Sequence, residues 1–323
     1  MQQFTRLVGI ARLASEGSVL SEKRRVEYRS LPTRKWLNRC QSKRVPFDWT
    51  INPYRGCEFG CKYCYARYTH EFMEIPDLEA FETEIYAKDW CGDSFRRELR
   101  SVRRGQVIGL GTATDPYQPA ERKFGRTRNL LEALLGVQGI SLFVTTKSDL
   151  AARDADLFRE LAKKNEVRVT FSVTTLNGDL TRLIEPFAPR PYLRIEAVGK
   201  LTAADVHAGV ICSPVLPLIT DSAENLGAVA EAAKAAGADQ FGANVLFLQP
   251  SAQRVFFPFL AERFPEYVAR YRREYASGAF LKGVYPEKIR QRVHDIRERL
   301  GLLRRDFEHA TVPVPQDAQL LLF

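Results

Sequence analysis

Three cysteines, Cys57, Cys61 and Cys64, stand at i, i+4 and i+7 within the stretch NPYRGCEFGCKYCYAR that runs from Asn52 to Arg67. Thiolates at that spacing share one tight loop, and such a loop can wrap a metal centre. Zinc takes a fourth protein ligand, from Cys or His at a recognisable spacing, and no second CxxC or HxxxH partner follows. His70, six residues beyond Cys64, is the nearby candidate. A four-iron cluster held by three cysteines keeps one iron open, where a small molecule can chelate it. Gly56 and Gly60 suit a chain that folds closely round a cluster, because they lack a Cβ and take positive φ freely.

The loop needs elements to position it. A short strand over Trp49–Ile51 leads into it, Phe81–Lys88 alternates in polarity as a strand does, and Asp93–Arg100 reads as a helix. Strand-like runs then recur at Gln106–Thr112, Ile140–Thr146, Val167–Val173, Gly209–Val215 and Phe241–Phe247. Helical patterns separate them at about 126–135, 154–164, 193–206 and 223–236. Repeated strand–helix–strand units mean a parallel sheet, and about six of them predict an α/β fold of the partial (β/α)6 barrel type. In such barrels the reactive groups gather at the C-terminal ends of the strands. Each apolar strand here runs out into a polar cluster: Gly111–Pro119, Thr145–Asp149, Ser172–Thr175 and Ser213–Pro217.

The expected organisation is a basic extension over 1–45, the barrel over 46–250, a helical region over 251–310 and a Pro-rich tail over 311–323. Residues 21–45 hold nine Lys or Arg against two Glu, with Tyr28 and Trp36 interleaved. That mixture is either a solvated basic arm or a surface where cations meet phosphates and rings stack on bases. A C-terminal helix near 286–305 carries Ile289, Val293, Ile296 and Leu300 at steps of three and four, so one face packs and the other shows arginines. The 323-residue chain has a net charge of +9, no apolar run of the roughly 18 residues that span a bilayer, and no secretion signal. Six cysteines in such a chain argue for metal or redox use in a reducing cytoplasm rather than for disulfides.

CxxxCxxC with an aromatic residue before the third cysteine resembles the signature of the radical S-adenosylmethionine (SAM) superfamily. With TATDPYQP, TTKSDL, SVTTL and SPVLPLITD, the segment from about 48 to 250 resembles the spore photoproduct lyase-like, or DNA repair photolyase-like, branch. The resemblance covers about three fifths of the chain, and the cysteine motif is its most specific part. It implies a [4Fe-4S] cluster on Cys57, Cys61 and Cys64, with SAM chelating the open iron and yielding a 5′-deoxyadenosyl radical on reduction. It further implies that Tyr63 and Tyr65 lie along SAM, that Lys147 pairs with the SAM carboxylate, and that Thr114 and Ser172 offer it hydroxyls. Electrons would come from a carrier such as flavodoxin or ferredoxin.

One departure from the family pattern stands at Thr112, where true spore photoproduct lyases have a cysteine that returns a hydrogen atom to the product radical. A hydroxyl is a poor hydrogen-atom donor, which puts repair of the spore photoproduct in doubt. Cys212 and Cys91 are read as small buried residues or as relocated donors. Asp115 and Tyr117, with Gln118, stand where a substrate would meet catalytic groups, and Glu121 and Arg122 follow. His70, His207, His294 and His309 share no spacing and read as surface or packing residues. The terminal Gln319–Phe323 pentapeptide, QLLLF, resembles the motif that docks repair proteins on the DNA sliding clamp, while folding back onto the barrel is its rival. The expected function is hydrogen abstraction from a nucleic acid, DNA foremost. The alternatives are modification of RNA or protein by the same chemistry, and a non-catalytic iron–sulfur adaptor.

Overall fold

The periodic apolar runs form the strands β1 (Val19–Lys23), β2 (Val26–Leu31), β3 (Leu37–Arg39), β4 (Trp49–Ile51), β5 (Tyr54–Arg55), β6 (Glu84–Lys88), β7 (Val107–Leu110), β8 (Ser141–Thr146), β9 (Glu166–Ser172), β10 (Ala208–Val215) and β11 (Gln240–Val245). The structure, a computed structural model, describes residues 7–23, 26–33, 35–41 and 45–302. His309 and the Gln319–Phe323 pentapeptide lie outside the described residues.

One sheet has the order β11-β10-β9-β8-β7-β4-β3. Its members from β4 to β11 pair in parallel, and β3 joins the edge antiparallel to β4. Crossover helices at Arg126–Leu134, Ala155–Ala162, Pro191–Thr202 and Ala223–Ala235 complete the partial (β/α)6 barrel expected from the alternation.

The barrel's two faces differ in chemistry. Leu142, Val144, Val167, Val169, Phe171, Val210 and Cys212 are buried against helix residues such as Leu131, Phe158, Leu201 and Val229 in the main core. Each such fully buried side chain contributes about 1.5–3 kcal/mol of apolar transfer free energy. The alternate residues of the same strands point the other way. Thr145 pairs with Thr170, Thr170 with Gly209, and Ile211 with Gly242 across this inner face. Thr145, Thr170, Ile211 and Gly242 are only half-buried, and Asn244 is exposed. The inner face thus mixes Thr145, Thr170, Gly209 and Gly242 with the larger Phe143, Arg168 and Ile211.

A second sheet, ordered β1-β2-β6-β5, flanks the barrel. β2 runs parallel to β6, and β5 pairs antiparallel with β6. The chain before residue 45 thus supplies strands to both sheets. This corrects the view of Tyr28 and Trp36 as rings free to stack on bases, since they are 2% and 0% exposed. Tyr28 packs edge-on against Phe124, and the Trp36 backbone N–H donates to Glu98 at 3.0 Å. The run over Phe81–Lys88 is likewise strand only from Glu84, after a turn of helix at Ala80–Thr83.

C-terminal to β11, helices at Pro250–Arg263, Val268–Glu274 and Val284–Leu300 pack back on the barrel. Ala252, Phe256, Phe259 and Leu260 share a core with Cys57, Phe59, Cys61 and Tyr63, so the first of these helices closes over the cysteine loop. The last buries Ile289, Val293 and Ile296, the stripe anticipated from spacing, while Arg299 pairs with Glu231 at 2.9 Å. No helix among the described residues is long and apolar enough to cross a membrane.

Candidate functional site

The cysteine loop hangs between the two sheets, with β4 in the barrel and β5 in the flanking sheet just before it. Gly56 has φ +78°, and a Cβ there would meet the Glu84 carbonyl oxygen at 2.8 Å. Gly60 has φ +62°, with the Phe187 ring 3.1 Å from where its Cβ would be. Both glycines are therefore required by conformation and by space.

Main-chain bonds pin the loop. Cys57 N–H donates to Phe81 at 2.8 Å, Lys62 N–H to Ile184 at 2.9 Å, and Phe187 N–H to Phe59 at 3.2 Å. Arg67, which is buried, grips Glu82 through both terminal nitrogens at 2.7 and 2.6 Å and also donates to the Cys61 carbonyl at 3.2 Å. Sequence reasoning quoted Arg67 only as part of the motif; its bidentate partner is fifteen residues away, beyond any local pattern.

Cys57 and Cys61 are buried and Cys64 half-buried, all three as free thiols. Burial raises each, and the charges of Asp115, Cys61 and Cys64 raise Cys57 further. Cys61 is pushed up to about 12 by burial, with the Lys147 ammonium pulling it back. A metal centre must displace these protons to bind. Among the described residues no three or more His, Cys, Asp and Glu side chains converge on a single-ion point. His70 is engaged elsewhere: its Nε2 lies 3.2 Å from the Glu84 carbonyl, its ring abuts Phe81, and burial lowers its pKa to about 4. Three thiols at i, i+4 and i+7 on one glycine-shaped loop, with the Lys147 ammonium near Cys61, are a donor set that fits a three-cysteine [4Fe-4S] cluster.

Lys147 follows β8 on the inner-face alternation of Thr145. Its Nζ lies 5.6 Å from the Tyr63 ring centroid. Burial alone would lower its pKa, but the charges of Cys61, Glu185 and Asp115 outweigh burial and raise it, so the ammonium persists. Beneath it is a buried network. Glu185 pairs with Arg194 at 2.5 Å, both 0% exposed, and Glu185 Oε1 accepts from Thr174 at 2.9 Å and from the Tyr63 hydroxyl. Burial pushes the Glu185 carboxyl up, but Arg194 and Lys147 prevail and hold it ionised. Arg194 Nη1 also donates to the Ser172 carbonyl at 2.8 Å, which ties this network to the end of β9. Glu185 and Arg194 were missed because neither belongs to a strand-end cluster.

The polar cluster after β7 behaves differently from expectation. The Thr114 hydroxyl donates to the Gly56 carbonyl at 2.6 Å, and Gln118 Nε2 donates to the same oxygen at 3.0 Å. Gln118 Oε1 also accepts from Glu58 N–H at 3.0 Å. Thr114 thus braces the cysteine loop instead of offering its hydroxyl to a ligand. Asp115 accepts from the Thr146 hydroxyl, from Lys147 N–H and from Tyr117 N–H at 2.7, 2.7 and 2.9 Å, joining the ends of β7 and β8. Tyr117 is turned into the core, where its hydroxyl donates to Asp154 at 3.1 Å, so the structure does not bring it to the site. Glu121 is buried too, accepting from Tyr54 at 2.6 Å and from Arg153 at 2.8 Å. Arg122 is exposed on the helix Pro119–Phe124.

Thr112 Oγ1 accepts from Asn52 Nδ2 at 3.0 Å, and its carbonyl accepts from the Tyr65 hydroxyl. Asn52 Oδ1 accepts from Ala113 N–H at 2.7 Å, completing the link between loop and strand end. Cys212 is buried on the helix-facing side of β10, as its core reading expects. Cys91 is exposed, a correction to the expectation of burial, because it stands just before the start of the surface helix Gly92–Leu99. His207 and His294 are surface residues near Asp239 and Glu298.

Comparison with known proteins accords with this geometry. The sequence profile of the Radical SAM superfamily matches residues 51–230. An uncharacterized protein of Mycobacterium tuberculosis is 34% identical over 278 residues, 86% of this chain and 81% of that one. An uncharacterized protein of Methanocaldococcus jannaschii is 29% identical over 218 residues, 68% of this chain and 77% of the other. Among solved structures, a spore photoproduct lyase mutant superposes with a TM-score of 0.61 at 15% identity, covering 84% of this chain and 79% of that one. Another, described as carrying bound AdoMet and dinucleoside spore photoproduct, gives 0.59 at 15% identity, with 83% and 77% covered. At that identity the likeness is one of fold.

Proposed function

Because the chain belongs to the radical SAM superfamily, a family of enzymes that uses a [4Fe-4S] cluster and SAM, we propose that it removes a hydrogen atom from a nucleic-acid substrate, DNA foremost, in repair or modification. Cys57, Cys61 and Cys64 hold the cluster, and Lys147 binds the SAM carboxylate. When bound, cluster and SAM supply a radical strong enough to attack an unactivated carbon. The protein's own residues do the rest. Tyr63, fixed by Glu185, walls the ammonium of Lys147. Asp115 holds the ends of β7 and β8 in register.

The observation that carries this reading is the placement of the three-thiol loop after β4, at the C-terminal end of a parallel barrel, beside the Lys147 that follows β8. The nucleic-acid half is supported by the net charge of +9 and by the likeness of fold to a lyase solved with bound dinucleoside spore photoproduct. Thr112, with its hydroxyl held by Asn52, argues against repair that relies on a thiol at that strand end. A low-potential carrier such as flavodoxin or ferredoxin would deliver the electron.

Anaerobic reconstitution tests the first half: four irons per chain and 5′-deoxyadenosine on reduction with SAM are expected, and a colourless zinc protein would overturn it. Mass spectrometry of DNA, RNA and lysate protein after turnover tests the second, with altered nucleosides from DNA as the expected product. Change confined to protein would overturn that half.

A further inference from the structure

The segment that covers the cysteine loop carries apolar side chains on its outer surface, and the reactions described above make no use of them. The helix Gly178–Ile184 and the turn after it lie directly over the loop: Lys62 N–H donates to the Ile184 carbonyl at 2.9 Å, and Phe187 N–H to the Phe59 carbonyl at 3.2 Å. The inner side of this cover is core, since Ile184 is buried with Cys57, Phe59 and Cys61. Its outer side faces solvent. Phe187, whose ring lies 3.1 Å from where a Cβ of Gly60 would be, keeps 60% of its surface exposed, and Leu183 keeps 37%. Arg182 is exposed beside Leu183 on the same helix, and Lys62 is half-buried where the loop meets the helix end. Neither cation makes an ion pair among the described residues, and Asp179 is the acid exposed on the same helix.

Resting on the cluster reading above, we infer that the surface formed by Leu183 and Phe187 with Arg182 and Lys62 is the docking site of the reductant, a small acidic electron-carrier protein. An apolar centre with a polar rim is the make-up of a protein–protein interface, and exposed apolar side chains grouped on one surface mark such sites. The need for an electron identifies the kind of protein. Cys57 and Cys61 are buried, so a reductant reaches their cluster through a covering layer, and electron transfer slows steeply as that layer thickens. Phe187 is exposed and also abuts Gly60, the covalent neighbour of Cys61, so this surface reaches the loop through a single side chain. Cations without carboxylate partners at the rim suit an acidic carrier and speed its approach. A nucleic acid is anionic too, but its binding rests on phosphate contacts, to which Leu183 adds nothing. In the step served, the carrier is oxidised by one electron and the cluster reduced by one; no bond forms or breaks.

The test is titration of a bacterial flavodoxin, followed by its flavin fluorescence, into reconstituted wild type, Leu183→Glu, Arg182→Glu and, as a charge control on another helix, Arg100→Glu. Leu183→Glu and Arg182→Glu are each expected to weaken flavodoxin binding about tenfold with iron content unchanged, whereas Arg100→Glu binds as wild type does. The Arg182→Glu loss should shrink at high salt. Bleaching of the cluster by reduced flavodoxin, followed by stopped flow below saturation, should slow in step, while reduction by dithionite and the 5′-deoxyadenosine it yields stay at the wild-type level. The docking site is overturned if wild type binds no flavodoxin, if Leu183→Glu and Arg182→Glu bind it undiminished or lose oligonucleotide affinity instead, or if Arg100→Glu weakens it equally. In each of those cases reduction by dithionite leaves the cluster reading standing. If wild type assembles no cluster, both fall.

Discussion

The ends of β7 and β8 look alike in sequence and do opposite work. Gly111–Pro119 and Thr145–Asp149 are both short polar clusters after apolar strands. After β7, Thr114 and Gln118 spend their polar atoms on the Gly56 carbonyl and the Glu58 N–H, so that end is a brace for the cysteine loop. After β8, Lys147 directs its ammonium to the ring of Tyr63, near Cys61 and Glu185, so that end keeps a charge beside the cysteine loop. Asp115 joins the two, bonded to the hydroxyl and main chain of β8. A strand end therefore serves the mouth of a barrel either by binding or by holding the group that binds, and residue type alone does not separate the roles.

The sharpest way to break the comparison begins with the braced object itself. Replacing Cys61 with Ala is expected to abolish cluster assembly, read as loss of iron and of visible absorption, because two thiolates cannot hold the cluster. Next, Lys147→Ala is expected to weaken SAM binding by about 10- to 100-fold, the worth of a charge-assisted bond, with iron content intact. Thr114→Val is expected to do the reverse: SAM affinity of the fully loaded protein stays near wild type, while cluster loading and thermal stability fall by roughly 1–2 kcal/mol. Calorimetric titration of both variants would decide. Equal losses of SAM affinity would erase the distinction between brace and ligand.

A smaller effect concerns charge buried away from the mouth. Lys88 lies at the end of β6 with Nζ 3.3 Å from the Lys35 carbonyl and 5.3 Å from the Trp36 ring, and burial, helped by Arg55, lowers its pKa to about 7. The folded pKa sits below the unfolded one, so the unfolded chain binds more protons between about pH 7 and 10, and this group's contribution rises with pH across that window. Lys88→Met is expected to stabilise the protein by about 2 kcal/mol at pH 6 and by much less at pH 10. Thermal melts at the two pH values would show it. Smallest of all, Tyr117→Phe should cost about 1 kcal/mol of stability and leave 5′-deoxyadenosine formation unchanged, since its hydroxyl serves Asp154 alone.

Much of the architecture was legible because it is written in local periods. Strand and helix alternation gave the parallel barrel to within a few residues of each boundary, and the spacing of Ile289, Val293 and Ile296 anticipated the buried face of the last helix. The region before residue 45 misled, because charge density there hides Tyr28 and Trp36, which are buried by partners from far along the chain: Glu58 takes the Tyr28 hydroxyl and Glu98 the Trp36 N–H. Arg67, Glu185 and Arg194 escaped notice for the same reason, since their pairings join segments with no common pattern.

What the sequence by itself determined is the set of groups that must act together within one turn of chain: three thiols and two glycines whose spacing admits one kind of loop. Only the tertiary structure decided which distant side chains surround that loop, turning Thr114 inward as a support, sending Tyr117 into the core and leaving Lys147 beside the Tyr63 ring. The physical reason is one of range. Ligand spacing and backbone freedom are properties of neighbouring residues, whereas the use of a polar atom depends on whichever partner the folded chain brings within hydrogen-bonding distance.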